Sequence, residues 1–163
     1  MADCLAKEAT KHPEIEIEIM PEIFDIKRTI RRELLNEWQT RWDSAQESRH
    51  YWSLEKKVSN KIKFKTTNRK KEVIISRLRL GKCRLKQNLK RMNLHETGLC
   101  ETCGTEETIE HWLLHCKETT QLGMELGNFC KRIQKPTTLQ TILNSEICHD
   151  IIYKWIQNNP KEL

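Results

Sequence analysis

The sequence has few of the residues that interrupt helices, with five glycines and four prolines among its 163 residues. It has no apolar run of the about 20 residues that cross a bilayer, and its N-terminus lacks the apolar segment of a secretory signal. With so few breakers and many Lys, Glu, Leu and Ile residues, the composition favours a mostly α-helical fold. The missing signal and span predict no membrane association and a reducing location, nuclear or cytoplasmic.

Seven cysteines stand out against this background. In a reducing compartment they are better explained as metal ligands or buried thiols than as disulfides. Four residues have the spacing of a metal site, C-x2-C followed by H-x4-C: Cys100, Cys103, His111 and Cys116. Such a set can surround zinc with a tetrahedral shell. Four protein ligands leave no open position, so the predicted zinc ion is structural.

The fourth ligand has two candidates on the short helix that carries His111. An α-helix turns by about 100° per residue, so His115 lies near the face of His111, whereas Cys116 lies about 140° away. By this periodicity Cys116 shares an apolar stripe with Trp112, which is typical of a buried thiol. A helix that ends at Cys116, before the polar run from Lys117, would instead turn its sulfur toward the metal. The residues alone leave both ligand sets open.

A second feature is a strongly basic block. Residues 56–91 carry fifteen Lys or Arg and one acid, a net charge of +14, so the rest of the chain carries −8 of the overall +6. Such a block attracts polyanions, because neutralising phosphates releases condensed counterions. A solvated helix face is the alternative explanation, but the concentration of charge favours nucleic acid. The predicted phosphate contacts are Arg77, Arg79, Lys82, Arg84, Lys86, Lys90 and Arg91.

The N-terminal part of the chain is predicted to hold two helices and one strand. A short amphipathic helix is predicted over residues 2–11, with Asp3 as its N-cap. Residues 14–20 alternate acid and isoleucine with a period of two, which predicts one short strand. From Ile23 to about Ser48 an apolar residue recurs at every fourth position, which predicts a long amphipathic helix. Residues 49–66 are predicted to form a basic loop.

The C-terminal part is predicted to be a small helical bundle. Two helices over residues 67–94 meet near Gly81, which suits a helix end. Beyond the zinc-stabilised segment, three more helices are predicted, one over 118–134, a short one capped by Thr138 and a last one capped by Ser145. The expected parts are a terminal-helix remnant (1–13), a strand, helix and basic loop (14–66), and a helical zinc-binding domain (67–163).

Three segments resemble the C-terminal region of polyproteins from non-LTR, LINE-type retrotransposons that carry ribonuclease H after the reverse transcriptase. The first, ADCLAKEA, is similar to the closing helix of type 1 ribonuclease H domains. The second matches an R-L-R-x-G-x-x-x-L helix pair, and the third matches C-x2-C followed by E-T-x-x-H-x4-C. The matching positions are Arg77, Leu78, Arg79, Gly81, Leu85, Cys100, Cys103, Glu107, Thr108, His111 and Cys116. The resemblance covers most of residues 1–118.

The resemblance implies a zinc-binding module that helps such a polyprotein hold its RNA or target DNA. It favours Cys116 over His115 as the fourth ligand. Asp3 matches a carboxylate that holds magnesium in the ribonuclease H family, but two-metal chemistry needs several carboxylates together. The chain is therefore expected to be a C-terminal fragment without enzymatic activity, which binds RNA, an RNA–DNA hybrid or DNA.

Two other functions stay open at this point. The helices after residue 118 are compatible with a protein-interaction module in which zinc only stabilises the fold. Ribonuclease activity at Asp3 is the less favoured alternative, and it would require metal-dependent cleavage of an RNA–DNA hybrid.

Overall fold

A computed structural model describes residues 2–11, 20–45, 49–59 and 67–159 of the chain. Within these ranges the chain consists of helices and turns, and its only β-type pairing is an isolated antiparallel bridge between Leu99 and Glu106. The predicted mostly α-helical fold is confirmed. The predicted strand over residues 14–20 lies outside the described residues, except for Met20.

The chain divides into two compact units, Met1–Glu37 and Trp38–Leu163. In the first, helix α1 covers Ala2–Ala9, and helix α2, Ile23–Ser44, begins there and continues into the second. The predicted long amphipathic helix therefore forms, although it ends at Ser44. The second unit starts well before residue 67, where the sequence placed the beginning of the helical domain.

The second unit is built from short helices around one core. In chain order they are α3 (Arg49–Leu54), α4 (Arg69–Leu80), α5 (Lys86–Arg91), a π-helical turn (His111–His115), a 3-10 turn (Lys117–Thr119), α6 (Thr120–Arg132), α7 (Leu139–Leu143) and α8 (Glu146–Asn158). Helix α6 packs against the π-helical turn and α8, and α4 packs against α3 and α8. The centre of this packing contains Leu78, Leu85, Trp112, Leu113, Leu122, Leu126, Ile142 and Ile152, all buried.

Helix α3 lies where the sequence predicted a loop, so that prediction is wrong for Arg49–Leu54. Tertiary contacts explain the helix, because α3 packs against α4 and α7 and its last residue, Leu54, is buried. The Leu54 carbonyl accepts hydrogen bonds from the side-chain amides of Gln140 and Asn144. These partners are some 90 residues further along the chain, and local sequence patterns do not report them.

The predicted helix ends agree with the structure at several positions. The side chains of Thr138 and Ser145 accept hydrogen bonds from the third backbone N–H after each, and so begin α7 and α8. Gly81 follows the last residue of α4 with a left-handed φ of 69°, and the next N–H, that of Lys82, bonds to the Arg77 carbonyl. This pairing satisfies the last carbonyls of α4 and turns the chain toward α5.

Candidate metal centre

Four side chains converge beside the helical core. The possible ligand atoms of Cys100, Cys103, His111 and Cys116 all lie within 4.8 Å of one another. The Cys116 sulfur is 3.8 Å from the Cys100 sulfur and 4.0 Å from the Cys103 sulfur. Two sulfurs bound to one tetrahedral zinc at about 2.3 Å would be about 3.8 Å apart. The cluster therefore has the dimensions to hold a metal ion such as zinc.

The first two cysteines are positioned by a tight loop between the bridged residues Leu99 and Glu106. The Cys100 N–H donates to the Thr105 carbonyl at 2.8 Å, and the Gly104 N–H donates back to the Cys100 carbonyl at 2.8 Å. Gly104 has a φ of 70°, which a side chain would oppose. The glycine after the second cysteine thus allows the loop to close with both thiols on one side.

A π-helical turn positions the other two members of the cluster, His111 and Cys116. The Cys116 N–H bonds to the His111 carbonyl, five residues earlier, at 2.7 Å. This wider turn brings Cys116 back to the side of His111, where both side chains join the cluster. The helix then ends, because Cys116 has an extended backbone, and the Thr119 hydroxyl bonds to the Trp112 carbonyl. Cys116 is buried within the cluster, whereas His115 is exposed and outside it.

His111 provides an independent sign that the cluster fits a metal. Its Nε2 atom is buried and has no hydrogen-bond partner among the described residues. Its other ring nitrogen, Nδ1, lies 3.3 Å from the Thr105 hydroxyl oxygen. A histidine ligand commonly binds the metal through one nitrogen while an outer partner orients the ring through the other. Nε2 is accordingly the ring nitrogen that could bind a metal, with Thr105 placed to orient the ring.

The thiols differ in how readily they lose a proton. The Lys117 backbone N–H, 3.4 Å from the Cys103 sulfur, lowers the pKa of Cys103. Burial raises the pKa of Cys116 to about 11. Without a cation the Cys116 thiol therefore keeps its proton at neutral pH. A divalent cation in the cluster reverses this preference, because a coordinated thiol is deprotonated.

Acidic side chains connect helix α5 to the loop that carries Cys100 and Cys103. The buried Glu107 side chain accepts a hydrogen bond from the Lys86 backbone N–H at 2.8 Å, and the Lys86 ammonium pairs with Glu101. The Gln87 amide donates to Glu106 at 3.1 Å. Order in the loop and placement of α5 are thereby linked. In the sequence Glu107 is recognisable only as a motif position, because nothing in its neighbourhood signals a partner 21 residues away.

The structure divides the predicted phosphate contacts. Five of the seven predicted cations are exposed: Arg77, Lys82, Arg84, Lys90 and Arg91. Lys86 is half-buried and paired with Glu101. Arg79 is only 6% exposed, and its guanidinium bonds to the Leu143 carbonyl and to the side chains of Asn144 and Glu55. Arg79 therefore differs from the sequence prediction and serves the packing of the core, because its charge is compensated inside the protein.

Asp3 lies in helix α1, where its carboxylate pairs with Lys7 at 3.1 Å. It is exposed and belongs to no group of three or more metal-ligating side chains in the part of the chain that the structure describes. Asp3 therefore lies inside the first turn of α1 and not before it, so its predicted N-cap role is wrong, and the ion pair with Lys7 is the contact that the structure shows.

In the described ranges, no helix combines the length and the apolar character that a membrane span requires. Comparisons with protein-family models, with curated proteins and with solved structures give no match for this chain.

Proposed function

We propose that this chain is a nucleic-acid-binding module with a structural zinc ion, derived from the C-terminal region of a non-LTR retrotransposon polyprotein. The observation that carries the proposal is the cluster of three cysteines and one histidine, whose ligand atoms lie within 4.8 Å of one another. Sulfur and imidazole ligands in a tetrahedral set suit zinc. The segment order and motif spacing seen in the sequence support the retrotransposon origin.

The proposed zinc ion has a structural role. Four protein ligands fill a tetrahedral shell, so no position is left for water or substrate. The loop from Leu99 to Glu106 has one bridge and a glycine turn of its own, and the metal adds the link that ties it to the π-helical turn. Metal binding then contributes directly to folding of this segment. On this proposal the module itself catalyses no reaction.

The proposed nucleic-acid surface follows the end of α4 and helix α5. Arg77, Lys82 and Arg84 lie around the turn at Gly81, and Lys90 and Arg91 lie in the last turn of α5. All five side chains are exposed. Exposed cations contact phosphates regardless of base sequence, so we expect binding without strong sequence preference.

Titrating labelled RNA, RNA–DNA hybrid and duplex DNA with the zinc-loaded protein at several salt concentrations tests this function. If five phosphates are neutralised on duplex DNA, the logarithm of the association constant should fall with the logarithm of salt with a slope of about −4.5. Reversing Lys82 and Arg84 to Glu should weaken binding and flatten this slope. The matched control reverses Lys131 and Lys135, two exposed lysines outside the proposed surface, and should change binding much less.

Two results would contradict the proposal. One is the absence of binding at low salt, and the other is an affinity that does not change with salt. Equal losses in the two charge-reversal variants would show that only net charge matters and that the proposed surface is wrong.

A protein-interaction role is the second candidate. It is favoured by exposed apolar side chains on the C-terminal helices, Met124 on α6 and Ile147 on α8, which are 59% and 52% exposed. Partner binding of this kind should survive reversal of Lys82 and Arg84. A partner that binds the variant as tightly as the original protein would favour this second role.

A further inference from the structure

Helix α2 presents an apolar surface that nothing in the described part of the first unit covers. Its 22 residues include no buried side chain. Ile23, Ile26, Ile30 and Leu34 are 73%, 44%, 50% and 60% exposed, and all four belong to the first unit. A contiguous exposed apolar patch commonly marks an interaction site.

These four side chains form one ridge, hereafter the α2 ridge. At about 100° per residue, Ile26 and Leu34 lie about 40° to either side of Ile30, and Ile23 lies about 20° from it. Residues spaced by four make the type of ridge that packs between the ridges of a second helix at a crossing angle of about 50°. The α2 ridge is therefore shaped for another helix with the same spacing.

Charged side chains flank the α2 ridge with opposite sign. Relative to Ile30, Lys27 lies about 60° and Arg31 about 100° to one side, whereas Glu33 lies about 60° to the other. Consider two parallel copies of α2 that are related by a twofold axis running along the helix pair. In this arrangement the basic flank of each helix lies beside the acidic flank of the other. An antiparallel pair would instead place the two basic flanks together. The charge pattern thus matches a second copy of itself in the parallel arrangement.

We propose that the chain self-associates through the α2 ridge, as a parallel, twofold-symmetric pair of α2 helices. A second copy of the chain is the partner that fits. A ridge of residues spaced by four packs against another ridge with the same spacing, and the two flanks of the α2 ridge carry opposite charges. Glu37 lies about one turn beyond Leu34, the last residue of the ridge. Two helices that cross at about 50° have separated at that point, so Glu37 does not enter the contact. The proposal depends neither on zinc nor on nucleic acid.

Sedimentation velocity of the full zinc-loaded chain, over a wide range of concentration, tests the proposal. The expected result is a mass that rises with concentration from 19.5 kDa toward twice that value. Ile30→Glu should keep the protein monomeric without loss of helical circular dichroism, since this side chain is half exposed in the single chain. The matched control, Leu94→Glu just after α5, introduces the same charge at an apolar side chain that is 70% exposed and should leave self-association unchanged.

The flanking charges test the orientation of the two helices. In a parallel pair, Arg31→Glu and Glu33→Lys should each raise the dimer dissociation constant by about two- to fivefold, and the double variant should restore it. A protein that stays monomeric at every concentration would overturn the proposal. Tighter association of Arg31→Glu would overturn the parallel arrangement, because that result requires the basic flanks to face each other.

Discussion

Individual atoms around the cluster of three cysteines and one histidine distinguish its candidate ligands more sharply than spacing does. His111 Nε2 is buried without a hydrogen-bond partner among the described residues, and Nδ1 lies near the Thr105 hydroxyl. At Cys116 the extended backbone ends the helix and places the sulfur 3.8 Å from that of Cys100. Such details favour Cys116 over His115 as the fourth candidate ligand.

Comparison of two single variants tests this choice at the residue scale. Cys116→Ser should lower zinc affinity by more than about tenfold, the loss already typical of removing an outer-shell partner. His115→Ala should leave affinity unchanged, because this side chain is exposed and outside the cluster. Competition with a chromophoric chelator measures the affinities, and native mass spectrometry counts the bound metal. A larger loss in His115→Ala would show that the π-helical turn is not the metal-bound conformation.

Arg79 shows why residue type alone does not reveal function. Its sequence context is similar to that of Arg77, because both arginines flank Leu78 in the same charged helix. The structure buries Arg79 against Glu55 and the end of α7, while Arg77 is exposed. The difference depends on residues 24 and 65 positions away, which a reading of neighbouring residues does not include.

At the scale of elements, the end of helix α4 depends on a glycine that has two functions. Gly81 adopts a φ of 69°, and a β-carbon built there would lie 2.9 Å from the His50 ring. The same ring bonds through Nε2 to the Leu78 carbonyl at 3.0 Å. The glycine therefore both ends α4 and allows α3 to approach it.

Gly81→Ala is expected to lower the free energy of unfolding by about 1–2 kcal/mol, because the left-handed conformation opposes a β-carbon and His50 must move. Gly127→Ala is the matched control. It lies inside α6 with nothing within 4 Å of the new β-carbon, and should raise stability by about 0.5–1 kcal/mol. Urea unfolding followed by circular dichroism measures both. Equal effects would show that neither the turn nor the close approach at Gly81 matters.

Local patterns predicted those elements whose cause is local. The apolar periodicity of α2, the caps Thr138 and Ser145, and the glycine end of α4 all depend on residues within one or two turns. Helix α3 and the π-helical turn depend on packing against distant segments, so periodicity missed α3 and treated the turn as an α-helix. The C-x2-C, H-x4-C spacing predicted which residues converge, but not the turn geometry that makes them converge.

At the scale of the whole molecule, composition predicted the helical fold, and the order of the residues showed how charge is distributed along the chain. Neither predicted which charged groups the core contains. Glu55, Arg79, Glu107 and His149 are all buried in the second unit. A buried group makes the stability of the fold depend on pH when its pKa differs between the folded and the unfolded chain.

His149 provides the clearest pH dependence. Its Nε2–H donates to the Leu143 carbonyl at 3.0 Å, and burial, with a smaller contribution from the nearby charges of Arg79 and Lys71, lowers its pKa below the ordinary 6.5. The unfolded chain therefore binds a proton more readily than the folded one. The stability that neutral His149 contributes should be complete above about pH 6.5 and should be lost as the pH falls, by at most about 1.4 kcal/mol per pH unit.

Acid would also protonate the cysteine ligands of the proposed zinc ion and release it, so the effect of His149 must be separated from that of the metal. His149→Gln keeps an N–H that can donate to the Leu143 carbonyl but does not titrate, while the metal cluster stays the same. Urea unfolding of both proteins between pH 7.5 and 5.5 should therefore give a steeper loss of stability in the original protein than in the variant. Equal slopes would mean that metal release alone accounts for the acid sensitivity, and that the folded protein accommodates a charged His149 without cost.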